Sequence, residues 1–320
     1  MSSRVHLQLV TESELVRRFP SKLGLEGSGI VAAVGNAVTS LKVGDEVYGL
    51  AVDKPMFRQE DPGWASEYAI CEDKFLVLKP AHLSFEAAGA AMGNTVSTYQ
   101  AIRAGLKLRG LESLEGMTVY VPAALGGLGS MAVQLAKKVY KAEEIITSVS
   151  TGKVPLVGKH LPGLVDQIVD YQTQVLTAEI RPGSVDFVIN TQMQTLAPSI
   201  PLLNPSHGVL VSLASIPKKE TLRELLGPDR FPMWLGWLSD LAQLYYWWKL
   251  LGTNIEHIMV SGSPNVRKDV EAAAELLAQD GLLSPVISTA SLNDIEAVRA
   301  GCEKAGSGKG GFGHFVVSIP

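Results

Sequence analysis

The sequence predicts an α/β fold in which a doubly wound parallel sheet forms most of the chain and a smaller β-rich region forms the rest. Short apolar runs alternate with helical segments between residues 117 and 214, as they do in a parallel sheet covered by helices. A glycine cluster at residues 126–129 joins the first of these runs to a helix. Strand-like runs occupy residues 25–49 and return at the end of the chain.

Composition and charge narrow the class of protein. The 320 residues are 46% hydrophobic and 19% charged, which is typical of a globular chain long enough for two domains. A net charge of −4 without a basic stripe argues against a nucleic-acid partner. Cys71 and Cys302 make no disulfide framework, and the first ten residues lack an apolar leader. We therefore expect a cytoplasmic protein.

The elements of the β-rich start follow from glycine-bounded apolar runs and turn residues. Ser84 is placed to cap the first helix after this region, and Glu86 lies in its first turn. The predicted elements are strands at residues 27–35 and 42–49, short β pieces over 64–78, and helices over 84–92 and 95–106.

The alternating region supplies the parallel sheet, and the tail returns to β structure. In the helix after the glycine cluster, apolar residues from Leu128 to Val139 recur on one face. Sheet strands are predicted at 117–121, 144–149, 167–171, 185–190 and 208–214. The tail is predicted as a helix over 270–279, a strand over 286–288, a helix over 294–303, a glycine-rich turn over 306–313 and a strand over 315–319.

The glycine cluster predicts a binding site for a dinucleotide pyrophosphate. Without side chains, Gly126 and Gly127 let the backbone approach phosphate, and Gly129 lets the helix pack against the strand. The first helical N–H groups and the positive helix end then face the anion. The predicted loop contacts are Ala124, Gly126, Gly127, Leu128 and Gly129. The alternative is a tight turn that holds no ligand.

The residues after the second sheet strand predict which dinucleotide is bound. An acidic residue there would select NAD through the ribose 2′-hydroxyl, but residues 147–153 contain no Asp or Glu. Ser150, Thr151 and Lys153 instead offer hydroxyls and a cation, which suit a 2′-phosphate. NADP is therefore favoured over NAD, and a solvated polar turn is the alternative.

The apolar segment at residues 231–251 and the histidines are two further features that bear on function. Residues 231–251 are almost wholly apolar and carry four of the five tryptophans. A helix buried in a substrate cleft or a subunit contact is the favoured interpretation, and a membrane-surface helix is the second. A membrane span is not expected because Asp240 lies near the middle. The six histidines are scattered without a helical pair that could hold a metal.

Several motifs together resemble the medium-chain dehydrogenase/reductase superfamily. They are GLEGSGIVAAVG at 24–35, VGDEVYG at 43–49, the Ala-x-x-Gly-x-x-Gly loop at 123–129, AQDGLLSPVI at 278–287 and GKGGFGHFVV at 308–317. The similarity extends from about Pro20 to the end of the chain, and it is greatest to zinc-free quinone oxidoreductases and fungal trans-acting enoyl reductases.

This resemblance implies a Rossmann domain at residues 91–278 and a GroES-like catalytic domain at 1–90 and 279–320, truncated at its N-terminus. It implies that Lys153 and Tyr171 contact the adenosine phosphate of NADP(H), and that Asn94 and Ser97 line the nicotinamide site. Zinc is not expected, because Leu25 stands where zinc-dependent relatives carry histidine and two cysteines cannot form a four-cysteine site.

The implied activity is NADPH-dependent reduction of a conjugated carbonyl, namely an enone, a quinone or an enoyl thioester. The substrate would be a small apolar molecule, and relatives are often homodimers. No catalytic residue can be assigned, since the usual first strands of the catalytic domain have no counterpart. The alternatives are a non-redox isomerase or cyclase, and a cofactor-binding protein without catalysis.

Overall fold

A computed structural model describes residues 2–4, 24–50, 63–228, 231–262, 266–279, 281–306 and 312–319. The chain divides into two compact units. The first unit comprises residues 1–96, 224–230 and 263–320, and the second comprises 97–223 and 231–262.

The elements of the described ranges are numbered in chain order. The strands are β1 (Ser2–Arg4), β2 (Glu26–Ile30), β3 (Glu46–Leu50), β4 (Leu76–Leu78), β5 (Thr118–Pro122), β6 (Glu144–Val149), β7 (Gln167–Asp170), β8 (Phe187–Asn190), β9 (Val209–Ser212), β10 (Glu256–Met259), β11 (Val286–Ser291) and β12 (His314–Ser318). The α-helices are α1 (Phe85–Ala88), α2 (Met92–Leu108), α3 (Gly127–Gln134), α4 (Val154–His160), α5 (Leu176–Glu179), α6 (Leu196–Ser199), α7 (Lys219–Leu226), α8 (Met233–Leu250), α9 (Arg267–Ala278) and α10 (Ile295–Gly306).

The second unit is built on a parallel sheet with the strand order β10-β9-β8-β5-β6-β7. Every residue of β8 and β9 is buried, because helices cover both faces of such a sheet. The predicted doubly wound sheet is confirmed. The five predicted strands are present, and β10 was missed because it is a short, half-buried edge strand. Strand order reverses between β5 and β8, where ligands of these sheets bind.

Pro122 ends β5 without disturbing the sheet. Its neighbour Ala123 donates its N–H to the Ser148 carbonyl of β6 at 2.9 Å. Because successive residues of a strand direct their N–H groups to opposite sides, the nitrogen of Pro122, which carries no hydrogen, faces β8. The pairing of β5 with β8 stops at Tyr120. A proline is therefore tolerated at this position, because no ladder bond is lost.

The helix after the glycine cluster differs from the predicted continuous α-helix. After α3 it widens into a π-turn over Leu135–Val139, closed by a bond from the Tyr140 N–H to the Leu135 carbonyl at 2.9 Å. Lys141 then adopts a left-handed conformation with φ 62° and ends the helix. The predicted apolar face is nevertheless buried from Met131 to Ala136, while Leu128 and Val139 at its ends are partly exposed.

The first unit contains a mixed sheet with the order β11-β12-β1-β2-β3-β4. Its strands pair antiparallel except for β11 and β12, which are parallel. The tail therefore rejoins the start of the chain, as predicted. The expected short β pieces between residues 64 and 78 reduce to β4, since turns and a 3-10 helix occupy the rest.

The predicted helix start at Ser84 is confirmed. Its hydroxyl accepts a hydrogen bond from the Ala87 N–H at 3.2 Å, and α1 begins at the next residue. Most of the glycine-rich turn predicted over 306–313 lies outside the described residues.

The apolar segment at 231–251 forms α8 on the surface of the second unit. Within the helix only Gly236, Ser239 and Tyr246 are buried. The large apolar side chains face outward within this chain, which contradicts the expected burial in a cleft of the same chain and leaves the expected subunit contact as a prediction. Among the described residues, no helix meets the length and hydropathy needed to cross a membrane.

Candidate dinucleotide site

The loop between β5 and α3 turns sharply at its first residue. Ala123 adopts a left-handed conformation with φ 56°, which is unusual for a residue with a side chain. Its carbonyl accepts the Gly126 N–H at 2.9 Å. Gly126 caps α3 in an extended conformation, and the helix begins at Gly127. The chain therefore passes from strand to helix within a few residues.

Gly129 is required by the same turn. A Cβ atom at Gly129 would lie 2.2 Å from the Ala123 carbonyl oxygen, whereas one at Gly126 would lie 3.3 Å from it. Only a glycine at 129 lets the first turn of α3 approach the loop this closely. The loop thus has the close strand–helix packing that a dinucleotide-binding turn needs.

A threonine on the neighbouring strand holds the loop in place. The Thr147 hydroxyl donates to the Val121 carbonyl at 2.6 Å and accepts the Ala124 N–H at 3.3 Å. Beside it, the Tyr120 and Ser148 hydroxyls are 2.6 Å apart. Thr147 was not predicted as a site residue, although a polar residue inside an apolar strand next to a glycine loop is a usable signal.

The electrostatics of the loop favour an anion. The first backbone N–H groups of α3 have no partners within the helix, and the positive end of the helix dipole lies at the same place. Ala124, Leu128 and the three glycines form this edge, at the carboxyl end of β5. The arrangement suits a pyrophosphate.

The turns after β6 and β7 meet beside this edge. The Tyr171 N–H donates to the Val149 carbonyl at 3.2 Å, and the Thr151 N–H donates to the Gln172 amide oxygen at 3.0 Å. Ser150, Thr151 and Tyr171, predicted from separate motifs, are therefore neighbours. The Tyr171 ring is 59% exposed and available to stack on a flat ligand.

Lys153 and Asp170 are the charged side chains considered at the turns after β6 and β7. Among the residues that the structure describes, no carboxylate oxygen lies within 4.0 Å of the Lys153 ammonium. Asp170 is engaged within its own turn, and the pKa of its carboxyl is lowered, first by a hydrogen bond from Thr151. This carboxylate was not predicted from the sequence, and it engages the Thr151 side chain.

Asn94 and Ser97 both lie in α2 but have different surroundings. Within the first unit, the buried Asn94 amide nitrogen is 2.8 Å from the His314 Nε2 atom. One residue earlier, the Gly93 N–H donates to the buried Glu26 carboxylate at 2.6 Å. Within the second unit, Ser97 packs so tightly on Gly262 that a Cβ atom there would overlap its hydroxyl.

The histidines serve separate local roles. His314 lies beside Asn94, and the His207 Nε2 atom is 2.8 Å from the Asp186 carboxylate. His257 is mostly buried, and burial, followed by the charge of Lys218, lowers its pKa to about 4. In the described part of the chain, no group of three or more His, Cys, Asp or Glu residues could hold a metal.

Together, the sheet order and the glycine loop define a Rossmann-like α/β unit, and the chain also forms a second, β-rich unit. Residues 4–81 match the alcohol dehydrogenase GroES-like domain. The expected pairing of a Rossmann-like sheet with a GroES-like domain is thereby confirmed.

Two curated plant proteins are similar over part of the chain. The 2-methylene-furan-3-one reductase of Solanum lycopersicum is 37% identical over 138 residues, which are 43% of this chain and 34% of that protein. The chloroplastic NADPH-dependent alkenal/one oxidoreductase of Arabidopsis thaliana is 35% identical over 139 residues, again 43% of this chain and 34% of that protein. The matched region thus spans about a third of each relative.

A solved structure shows the fold over nearly the whole chain. The CurK enoyl reductase superposes with a TM-score of 0.65 at 22% identity, covering 94% of this chain and 80% of that one. The chain therefore shares the fold of this enoyl reductase.

Proposed function

We propose that the protein is an NADPH-dependent reductase of a conjugated carbonyl compound. The observation that carries the proposal is the meeting of the glycine loop with the Ser150–Lys153 turn at one edge of the sheet. The geometry of the loop fits a pyrophosphate, since a Cβ at Gly129 would fill the space that the turn needs. Two curated relatives are named a 2-methylene-furan-3-one reductase and an NADPH-dependent alkenal/one oxidoreductase, and these names support the reaction class.

The cofactor assignment rests on the residues around the proposed ribose site. The Lys153 ammonium would pair with the 2′-phosphate, and the Ser150 hydroxyl would donate to one of its oxygens. Tyr171 would pack against the adenine. The backbone N–H groups of residues 127–129 would bind the pyrophosphate, and Asn94 and Ser97 would border the nicotinamide end.

When bound, NADPH supplies a hydride for the β-carbon of the conjugated double bond. The electron pair of that bond then moves onto the carbonyl oxygen, and a proton from solvent completes the reduced product. The protein must hold the substrate over the cofactor in a dry cleft and donate a hydrogen bond to the developing oxyanion. The substrate is proposed to be a small apolar enone, quinone or enoyl compound.

The reaction is tested with purified protein, NADPH and a panel of enones, quinones and enoyl thioesters. We expect loss of the nicotinamide absorbance band together with the saturated product, identified by mass spectrometry. Deuterium placed on the transferred position of NADPH should appear at the β-carbon. Tight binding of NADPH without oxidation by any member of the panel would count against the reductase and favour an isomerase or cyclase.

A further inference from the structure

The outward side of α8 carries large apolar side chains that the second unit leaves uncovered. They recur along the helix at alternating spacings of three and four residues, so they share one side of it. Each is between 52% and 66% exposed. We call this set the α8 row, and it consists of Trp234, Trp237, Leu241, Leu244, Trp248 and Leu251.

The exposed surface of this helix is large and aromatic. The four tryptophans of α8, at 52%, 66%, 61% and 60% exposure, leave roughly 600 Å² of indole surface in solvent. That already equals the largest apolar patch of a typical monomer, about 300–600 Å². Tryptophan and tyrosine collect at the boundary between acyl chains and headgroups of a bilayer, and Tyr245, 43% exposed, lies beside the row.

The polar groups of the α8 row are too few for a protein partner. Its three leucines have no polar side-chain atom, and each of its three tryptophans offers one indole N–H and no acceptor. A specific interface between proteins carries on the order of ten hydrogen bonds. Lipid headgroups need only accept from the indole N–H groups, so the chemistry of the row favours lipid.

The two charged residues of α8 lie at the edges of the row. Asp240 and Lys249 are nine residues apart, which places them on roughly opposite sides of a helix with 3.6 residues per turn. Asp240 is 3.9 Å from the Lys219 ammonium. The Lys249 ammonium lies 5.1 Å from the Trp248 ring and 5.7 Å from the Tyr245 ring. Both charges can therefore stay at headgroup level while the row enters the acyl region.

The second unit takes the place of a polar helix face. Free helices that lie on membranes need a charged side opposite their apolar side. The opposite side of α8 is instead fixed to the segment after β9. The Ser239 hydroxyl donates to the Pro217 carbonyl at 2.6 Å, and the Gln243 amide donates to the Ile216 carbonyl at 2.9 Å. These bonds hold the helix with its apolar row outward.

We propose that the α8 row inserts into the surface of a zwitterionic bilayer and holds the protein there as a peripheral membrane protein. A helix in this position lies in the plane of the membrane, with its apolar side roughly 5–10 Å below the headgroups. Anionic lipids are disfavoured as the target, because the chain carries a net charge of −4 and α8 itself contributes one cation.

Tryptophan fluorescence tests the proposal, because four of the five tryptophans belong to α8 and Trp64, in the first unit, is only 7% exposed. With phosphatidylcholine vesicles, the wild type should sediment with the lipid, and its emission should shift to shorter wavelengths. Phosphatidylcholine brominated on its acyl chains should quench that emission. Added phosphatidylserine should strengthen binding by less than about twofold. No cofactor is present, so the result is independent of the proposed reductase activity.

A charge at the middle of the row should prevent insertion. Leu241→Glu should lower the partition coefficient for phosphatidylcholine vesicles by roughly tenfold or more, because it takes a carboxylate to the acyl boundary. Leu241→Phe, which stays apolar, should bind as the wild type does. The matched control is Val43→Glu in the first unit, with 61% exposure against 63% for Leu241, and its binding should not change. Circular dichroism checks that each variant folds.

Four results would each overturn the proposal. They are a wild type that leaves the vesicles in solution, bound protein whose emission brominated lipid does not quench, a folded Leu241→Glu variant that binds as well as the wild type, and binding that requires phosphatidylserine. Sedimentation velocity without lipid covers the competing occupant. A wild type that ignores vesicles and forms a dimer that Leu241→Glu dissociates would assign the row to a second copy of the chain instead.

Discussion

The glycine loop and α8 lie in the same unit and show opposite relations between sequence and burial. In α3 and the π-turn after it, the apolar residues Met131, Ala132, Leu135 and Ala136 recur every three or four residues and are buried. In α8, residues with the same spacing are exposed, and the buried side is made of Gly236, Ser239 and Tyr246. Apolar periodicity therefore identifies a contact face, but it does not say whether the contact lies within the chain.

The glycine loop and α8 differ in how strictly their backbone and packing restrict the residue type at each position. In the loop, the left-handed turn at Ala123 leaves room only for glycine at 129. The presence of glycine at this position therefore predicts the conformation of the loop. In α8, any of several large apolar residues would serve at each exposed position. The conformation of the loop can therefore be predicted from its sequence, whereas the outward face of α8 became visible only in the structure.

The largest expected effect comes from filling the space at the loop. Gly129→Ala places a methyl group 2.2 Å from the Ala123 carbonyl oxygen, so the turn must open, and we expect a loss of roughly 3 kcal/mol in the free energy of unfolding. Binding of NADPH should be abolished. Urea denaturation and calorimetric titration measure the two effects.

Gly158→Ala is the matched control for this change. A Cβ atom at Gly158 meets nothing within 4 Å, and the residue lies inside α4. We expect it to be neutral or to stabilise the protein by about 0.5–1 kcal/mol. Equal destabilisation by the two substitutions would refute the special role of Gly129.

A pH-dependent effect is expected on the inner side of α8. His257 contacts the Tyr246 ring edge to face, with the ring centroids 5.2 Å apart, and its buried Nε2 has no hydrogen-bond partner among the residues that the structure describes. Burial lowers the pKa of His257 from 6.5 to about 4, so the folded state favours the neutral ring. Keeping the His257 ring neutral therefore destabilises the folded state only at acid pH. The loss in the free energy of unfolding is absent above pH 6.5 and grows as the pH falls towards 4, where it reaches about 3 kcal/mol.

His257→Phe keeps an aromatic ring at this position and removes the titrating group. Urea unfolding between pH 7 and pH 4 should show a shallower loss of stability in the variant than in the wild type. Parallel pH profiles for the two proteins would contradict the assignment of this cost to His257.

A smaller effect is expected from the threonine that holds the loop. Thr147→Val keeps the shape of the side chain but leaves the buried Val121 carbonyl and Ala124 N–H without their partner. We expect a loss of about 1–2 kcal/mol in the free energy of unfolding, with a modest loss of NADPH affinity. Thr147→Ser, which retains the hydroxyl, should recover most of both in the same assays.

The parallel sheet and its loop could be predicted because their signals are local. The strand from Glu144 to Val149 coincides with its predicted range, and the glycine loop lies between a strand and a helix as expected. The pairing of Asn94 with His314 could not be predicted, since the two residues are 220 positions apart. Asp170 was missed because its carboxylate reaches Thr151 only after β6 and β7 have paired.

The first unit was harder to predict for a physical reason. Its strands are short and half-exposed, as in β4, where only the middle residue is buried, so apolar alternation is weak. Turns between residues 64 and 70 carry apolar residues that imitate strands, and Ile70 is 97% exposed. Local pattern does not separate such turns from edge strands.

The most direct test of the central claim is the titration of the wild type and Lys153→Ala with NADPH and with NADH. The wild type should bind NADPH more tightly, and the substitution should weaken NADPH by roughly tenfold to a hundredfold, the value of a charge-assisted contact. Affinity for NADH should change by less than about twofold, since NADH has no 2′-phosphate for Lys153 to contact. Equal weakening of the two cofactors, or a wild type that does not bind NADPH, would contradict the account.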